Sequence, residues 1–176
     1  LGNFGVANAF DVMFLYSGNL NVPKNLRDIT QKLFVKNATD ILNDNGLTHH
    51  PYISTTKYKG DIHFNQGSIS ARSSATNYAL TNAISSLIEI RGVNLGRTSF
   101  KRRIQSIFLV ATSYLKTAVT HKKQIKEEIK KAINTQKEIV LTSKRKVYRE
   151  KVKVLDLDTE KIIEIEVTKR DAWLSS

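Results

Sequence analysis

Residues 85–103 constrain the fold more than any other part of the chain, because a strand pattern passes there into a helix pattern. The run from Leu87 to Ile90 is apolar except for Glu89. Apolar and β-branched residues at this density are typical of a strand that is covered on both faces. From residue 99 onward apolar residues recur at helical spacing. We therefore expect a buried strand that ends close to the start of a long helix.

Glu89 is the one unusual residue in this strand, and it is also the only glutamate among the first 126 residues. An unpaired charge is costly to bury, or else the group becomes protonated. One interpretation is a structural ion pair with Arg91, Arg72 or Arg97. The other places Glu89 in a crevice at the end of the strand, where it works as a general base. The residues alone leave both open.

Residues 77–104 resemble the zinc metallocarboxypeptidase family, the carboxypeptidase A-like enzymes, and are most similar to its bacterial branch. Residues 87–91 match a late core strand of the form [LIF]-E-x-R. The following helix carries a pair of arginines, here Arg102 and Arg103, and residues 77–82 match an N-Y-x-L-x-N phrase. This resemblance implies a peptidase that removes C-terminal residues from peptides.

The resemblance also implies a catalytic role for Glu89, which would take a proton from zinc-bound water and pass it to the leaving amine. It implies zinc as the cofactor, held by an H-x-x-E pair and a later histidine that precede this strand. No H-x-x-E occurs in the sequence, since Gln66 and Gln124 stand at that spacing after His63 and His121. We therefore expect the zinc ligands upstream of the chain.

Residues 49–78 contain three histidines and several side chains that could bind a metal or substrate. His49 and His50 are adjacent, and neighbouring residues of an extended segment point to opposite faces. We therefore do not expect these two, or His63, to bind zinc. Arg72 and Tyr78 are candidates for holding the peptide substrate, with Tyr58 as a further candidate for the family's mobile tyrosine. Each could equally be an ordinary loop residue.

The resemblance covers roughly residues 10–118 and implies an α/β fold. The chain would form the C-terminal part of a mixed, mainly parallel sheet flanked by helices, with a small β-rich appendage. Residues 1–120 would belong to the catalytic domain. Residues 121–176 would form a helical extension, with one apolar residue per turn, and then a β-hairpin, where apolar and polar residues alternate.

Two long helices are predicted to pack against the sheet by their apolar faces. The first spans residues 24–45, where Asn45 and Gly46 are a typical helix stop. Its face comprises Leu26, Ile29, Leu33, Phe34, Ala38, Ile41 and Leu42. The second begins near residue 99, and its face comprises Ile104, Ile107, Phe108, Ala111, Tyr114, Leu115 and Ala118.

The formal net charge of +12 suggests a different class of function. Such an excess attracts anionic polymers, so a non-catalytic basic binding module is one alternative. A catalytically dead family member that binds peptide ends is another. No nucleic-acid partner is expected, because aromatic residues are sparse among the basic runs. No apolar run reaches membrane-spanning length. We expect the isolated chain to bind the missing N-terminal part of the domain or to self-associate.

Overall fold

The computed structural model describes residues 10–91, 99–135, 138–156 and 158–174. The chain divides into two compact units, with the boundary in the sequence between Lys137 and Glu138. The elements in chain order are β1 (Val12–Tyr16), α1 (Lys24–Ile29), a π-helical segment (Thr30–Val35), α2 (Lys36–Asp44), β2 (His49–Pro51), β3 (Ile53–Tyr58), β4 (Asp61–Gln66), α3 (Ser74–Leu80), β5 (Ser86–Ile90), α4 (Phe100–Thr120), α5 (Lys122–Thr135), β6 (Ser143–Asp156) and β7 (Lys161–Leu174).

The first unit is built on a three-stranded mixed sheet in the order β2-β1-β5. β1 lies in the middle, parallel to β2 and antiparallel to β5. The strand predicted around Leu87–Ile90 is therefore confirmed as β5. The mixed α/β class is also confirmed. Among the described residues, the sheet holds one parallel and one antiparallel pairing.

Alternation along β1 divides its side chains between two faces of the sheet. Val12 and Phe14 are buried against the helices in a core that also holds Ala38, Leu42 and Val110. Ile88, Ile90, Tyr16, Leu109 and Tyr114 pack against the same core. The other residues of β1 and β5, which include Met13 and Glu89, belong to the opposite face.

The helix predicted at residues 24–45 is confirmed, with one π-helical turn in its middle. A π turn contains an extra residue, so the buried face advances by about one position after it. Thr30 and Val35 are buried as a result, whereas Leu33 and Ile41 are only half-buried. The helix ends as predicted, because Gly46 takes a positive φ of 64° and Leu47 returns its N–H to the carbonyl of Leu42.

The face predicted for the second long helix, α4, is wrong except at Tyr114, which packs against the core. Ile104, Ile107, Phe108 and Leu115 are between 49% and 70% exposed. The buried stripe consists instead of Ser106, Val110, Ser113 and Thr117.

The contacts of the buried stripe account for its orientation. Arg102 binds the buried Asp11 just before β1, and Ser106, Val110, Ser113 and Thr117 follow it on the same side of the helix. Val110 belongs to the hydrophobic core, and Asn37 donates to Thr117. Ser106 donates to the carbonyl of Arg102 within the helix. Long-range polar contacts and one core residue thus hold the more polar stripe inward, and the apolar stripe lies outside.

Two antiparallel hairpins complete the description. β3 and β4 pair through a turn at Lys59 and Gly60, which both have positive φ. β6 and β7 form a long two-stranded ribbon in the second unit, crossed by ion pairs such as Arg149–Glu166 and Lys151–Glu164. The predicted C-terminal hairpin is therefore confirmed. The assignment of residues 1–120 to a catalytic domain stays a prediction.

None of the helices in the described part of the chain is long and apolar enough to cross a bilayer.

Candidate functional site

Glu89 lies on β5, directly opposite Met13 of β1. His50 of β2 is the partner of Met13 on its other side, so the three residues form one row across the sheet. Because opposed residues in a sheet share a face, this row lies on the side away from Val12 and Phe14. Glu89 is only 9% exposed and Met13 only 1%. The backbone thus places a carboxyl group in a largely buried, partly apolar setting.

The electrostatic setting of Glu89 favours its neutral form. Burial raises the pKa of the Glu89 carboxyl. The structural interpretation required an ion pair with Arg91, Arg72 or Arg97. Among the described residues, Glu89 forms no ion pair with Arg91 or Arg72. Arg97 lies outside the described residues. A buried carboxyl group whose pKa is raised can accept and release a proton at a pH closer to neutral.

Tyr52 is the residue near this site that sequence reasoning missed. It follows β2, and its backbone N–H donates to the carbonyl of Phe14 at 2.9 Å. Burial raises the pKa of the Tyr52 hydroxyl, and the charge of Glu89 raises it further. The Tyr52 hydroxyl therefore stays protonated as a hydrogen-bond donor within electrostatic reach of Glu89. The signal in the sequence was weak: an aromatic residue just after a short strand.

The adjacent histidines point to opposite faces, as the sequence predicted. His49 lies 3.1 Å by its Nε2 from the side-chain oxygen of Asn43, and burial lowers the pKa of its imidazole. The His50 ring stacks on Phe10 with 4.7 Å between ring centroids, and its Nδ1 lies 2.6 Å from the carbonyl of Pro51. Among the side chains that the structure describes, no three His, Cys, Asp or Glu residues are grouped to hold a metal.

The predicted substrate-binding residues lie around α3. Arg72 is exposed in the loop before this helix, and Tyr78 is 62% exposed on it. The helix packs by its other side, where Thr76 is buried and its hydroxyl lies 3.0 Å from that of Ser17. No hydrogen bond or ion pair among the described residues joins Arg72 or Tyr78 to Glu89, and their roles stay predictions. The side chains of Tyr58 and His63 lie outside the described ones.

A second carboxylate, Asp11, was also missed, and it has the opposite environment. It is 3% exposed, and Arg102 donates to both of its oxygens at 2.6 Å through Nε and Nη2. The backbone N–H and the hydroxyl of Thr48 donate to it at 2.8 and 2.9 Å. Burial by itself would raise the pKa of Asp11, but these bonds outweigh burial and hold the pKa below its usual value. Asp11 therefore anchors the start of α4 as an anion at neutral pH.

Comparisons with known proteins bear on what this arrangement does. No family model and no solved structure matches the chain. The chain is 28% identical over 141 residues to a protein described as carboxypeptidase 2 from Trichophyton rubrum. That alignment covers 77% of this chain and 26% of the relative. It is 28% identical over 141 residues to a probable carboxypeptidase 2 from Arthroderma benhamiae, with 77% and 27% covered. A probable carboxypeptidase 2 from Trichophyton verrucosum is 27% identical over 144 residues, with 79% and 28% covered.

The chain thus spans about a quarter of the length of the curated relatives it matches. The repeated match to carboxypeptidases supports a carboxypeptidase-like family for this chain.

Proposed function

We propose that the chain is part of a zinc-dependent metallocarboxypeptidase of the carboxypeptidase A-like type, bacterial branch, that removes C-terminal residues from peptides. The observation that carries this proposal is the buried Glu89 on β5, whose pKa burial raises, in a chain similar to carboxypeptidases. Glu89 is the general acid/base. Arg72 and Tyr78, both exposed beside α3, contact the peptide substrate.

The chemistry asked of Glu89 is the transfer of one proton in two steps. The water that attacks a peptide carbonyl must lose a proton, and the leaving amine must gain one. The Glu89 carboxylate accepts the first proton, and the resulting carboxylic acid donates it to the amine nitrogen. Burial suits both steps, because it brings the two protonation states closer in free energy. Tyr52 keeps its own proton near this carboxylate.

The described residues do not form a zinc site. His49 lies against Asn43, while His50 lies against Phe10 and Pro51 on the other face of the sheet. We propose that the zinc ligands lie elsewhere in the catalytic domain, as the resemblance implies.

The outward face of α4 supports association with that N-terminal part of the domain. Its apolar side chains are mostly exposed, with Phe108 at 66% and Leu115 at 70%. Exposed apolar surface of this extent marks an interaction site. Because the chain spans about a quarter of its relatives' length, a protein of that size has further chain with which to cover this face.

The test is Glu89→Gln in a full-length protein that contains this chain. We expect peptidase activity to be abolished and the zinc content to stay unchanged. The melting temperature should not fall, because the substitution removes a buried charge rather than a partner. Glu127→Gln, an exposed glutamate on α5, is the matched control and should keep full activity.

Three results would contradict the proposal in different ways. Retained activity in Glu89→Gln would remove Glu89 from the chemistry. Loss of folding would favour the structural ion pair. A wild-type protein that binds peptides but hydrolyses none, at full zinc occupancy, would be a dead relative of the peptidases.

A further inference from the structure

Three arginines converge on one crevice at the junction of β5 and α4. Arg91 follows the last residue of β5, and Arg102 and Arg103 lie in the first turn of α4. The crevice is shallow and open to solvent. Asp11 and Ser106 also line it. The described lining thus carries three positive charges and a single negative one.

That single negative charge is already fully engaged. One oxygen of Asp11 accepts from Nε of Arg102, and the other accepts from Nη2 of Arg102 and twice from Thr48. The carboxylate therefore has little capacity left for Arg91 or Arg103. The positive charges of Arg91 and Arg103 are therefore not balanced by a described acidic residue of the crevice.

The hydrogen-bond inventory identifies the same two groups. Nε of Arg91 and Nε of Arg103 are buried, and neither has a hydrogen-bond partner among the described residues. A buried donor without an acceptor is unfavourable, and native proteins rarely leave one so. The two arginines that carry these donors line the same crevice.

We propose that this crevice is a binding site for a small oxyanion, a carboxylate or a phosphate-type group, held by Arg91 and Arg103. The planar guanidinium presents its N–H donors in a fork that matches the paired oxygens of such groups. An oxyanion bound by these two arginines would balance the charge that Asp11 leaves over.

This site does not depend on the proposed peptidase function. Its residues are held by the described part of the chain, and it needs neither a metal nor peptide hydrolysis. Failure of Glu89→Gln to abolish activity would therefore leave the oxyanion site standing, and absence of oxyanion binding would leave the peptidase proposal standing.

The experiment titrates the 176-residue chain with inorganic phosphate, sulfate and acetate at constant ionic strength, with binding followed by calorimetry or by amide chemical shifts. We expect saturable binding of one anion per chain. Arg91→Gln and Arg103→Gln should each weaken it about tenfold, the loss of one charge-assisted hydrogen bond of about 1.4 kcal/mol. Lys101→Gln is the matched control, because Lys101 is an exposed cation of the same helical turn that does not line the crevice.

The relative affinities identify the ligand's source. Tighter binding of acetate points to a carboxylate-bearing ligand, and tighter binding of phosphate and sulfate points to a phosphate-type ligand. Equal weakening by Lys101→Gln and Arg103→Gln would show general charge attraction and overturn the proposal. No saturable binding at millimolar anion would overturn it as well. Arg103→Lys should remain weak, because lysine keeps the charge but lacks the fork.

Discussion

Arg102→Met removes the side chain that links the start of α4 to Asp11. In the native protein Arg102 donates to both oxygens of Asp11 at 2.6 Å. Methionine keeps the length and the apolar stem of the arginine but removes every donor. Asp11 then retains its two bonds from Thr48 and loses its only described charge partner.

The magnitude follows from the unequal exposure of the two partners. Removing one side of a buried ion pair costs about 3–5 kcal/mol, whereas an exposed pair contributes about 0–1 kcal/mol. The Asp11 side chain is 4% exposed and that of Arg102 is 51% exposed. Water can therefore screen the arginine but reaches the aspartate poorly. We expect a loss of about 2 kcal/mol in the free energy of unfolding, between these limits.

The loss should depend on pH in a definite direction. The folded-state pKa of Asp11 lies below its usual value of about 3.9, so the stabilisation is present above that pH. It disappears as the pH falls through the lowered folded-state pKa and the carboxylate becomes protonated. The difference between wild type and Arg102→Met should therefore be full at pH 7 and shrink steadily below about pH 4.

Urea unfolding at pH 7 and at acid pH measures both quantities, with Lys101→Met as control. Lys101 lies in the same turn, is exposed, and should change the free energy of unfolding by less than about 0.5 kcal/mol. The reasoning fails if Arg102→Met is no more destabilising than this control at pH 7. It fails equally if the difference stays constant into acid pH, since the charge on Asp11 would then not be its cause.

Two other predictions concern packing. A Cβ on Gly67 would overlap the Leu15 side chain, so Gly67→Ala should destabilise the chain by about 1–2 kcal/mol in urea unfolding. In a Leu15→Ala background the same substitution should cost much less, because the overlapping atoms are gone. On α4, Phe108→Gln should change stability by less than about 0.5 kcal/mol and reduce self-association in light scattering, whereas Val110→Ala, at a buried site, should cost about 2 kcal/mol. If Phe108→Gln left self-association unchanged, the exposed apolar face of α4 would not be the surface through which chains associate.

The parts of the fold that could be predicted from the sequence have strong local patterns. The apolar density of β1 and β5, and the alternation of the C-terminal hairpin, identify those strands. Strand order had no local signal, since nothing near Val12 or Ile90 states that they become partners. The π turn at Thr30–Val35 was equally hidden, because its sequence continues an ordinary helical period.

The orientation of α4 could not be predicted because hydrophobic periodicity assumes that the apolar stripe faces the core. Here the inward stripe is held by long-range contacts, of which the pair between Asp11 and Arg102 is one. The pair joins positions 91 residues apart, and a search for local periodicity does not compare such positions. The resemblance drew attention to Arg102 and Arg103 but gave no partner for either.

The two buried carboxylates of the first unit show why Glu89, and not Asp11, is the proposed proton carrier. Both lie at the same sheet, Asp11 just before β1 and Glu89 opposite Met13. Asp11 accepts hydrogen bonds from Arg102 and Thr48, and these stabilise its charged form. Glu89 makes no side-chain hydrogen bond or ion pair with another described residue, so burial acts on it without such opposition. Environments that push two pKa values apart divide their roles. Asp11 stays ionised and holds the helix, which leaves Glu89 as the group able to exchange a proton.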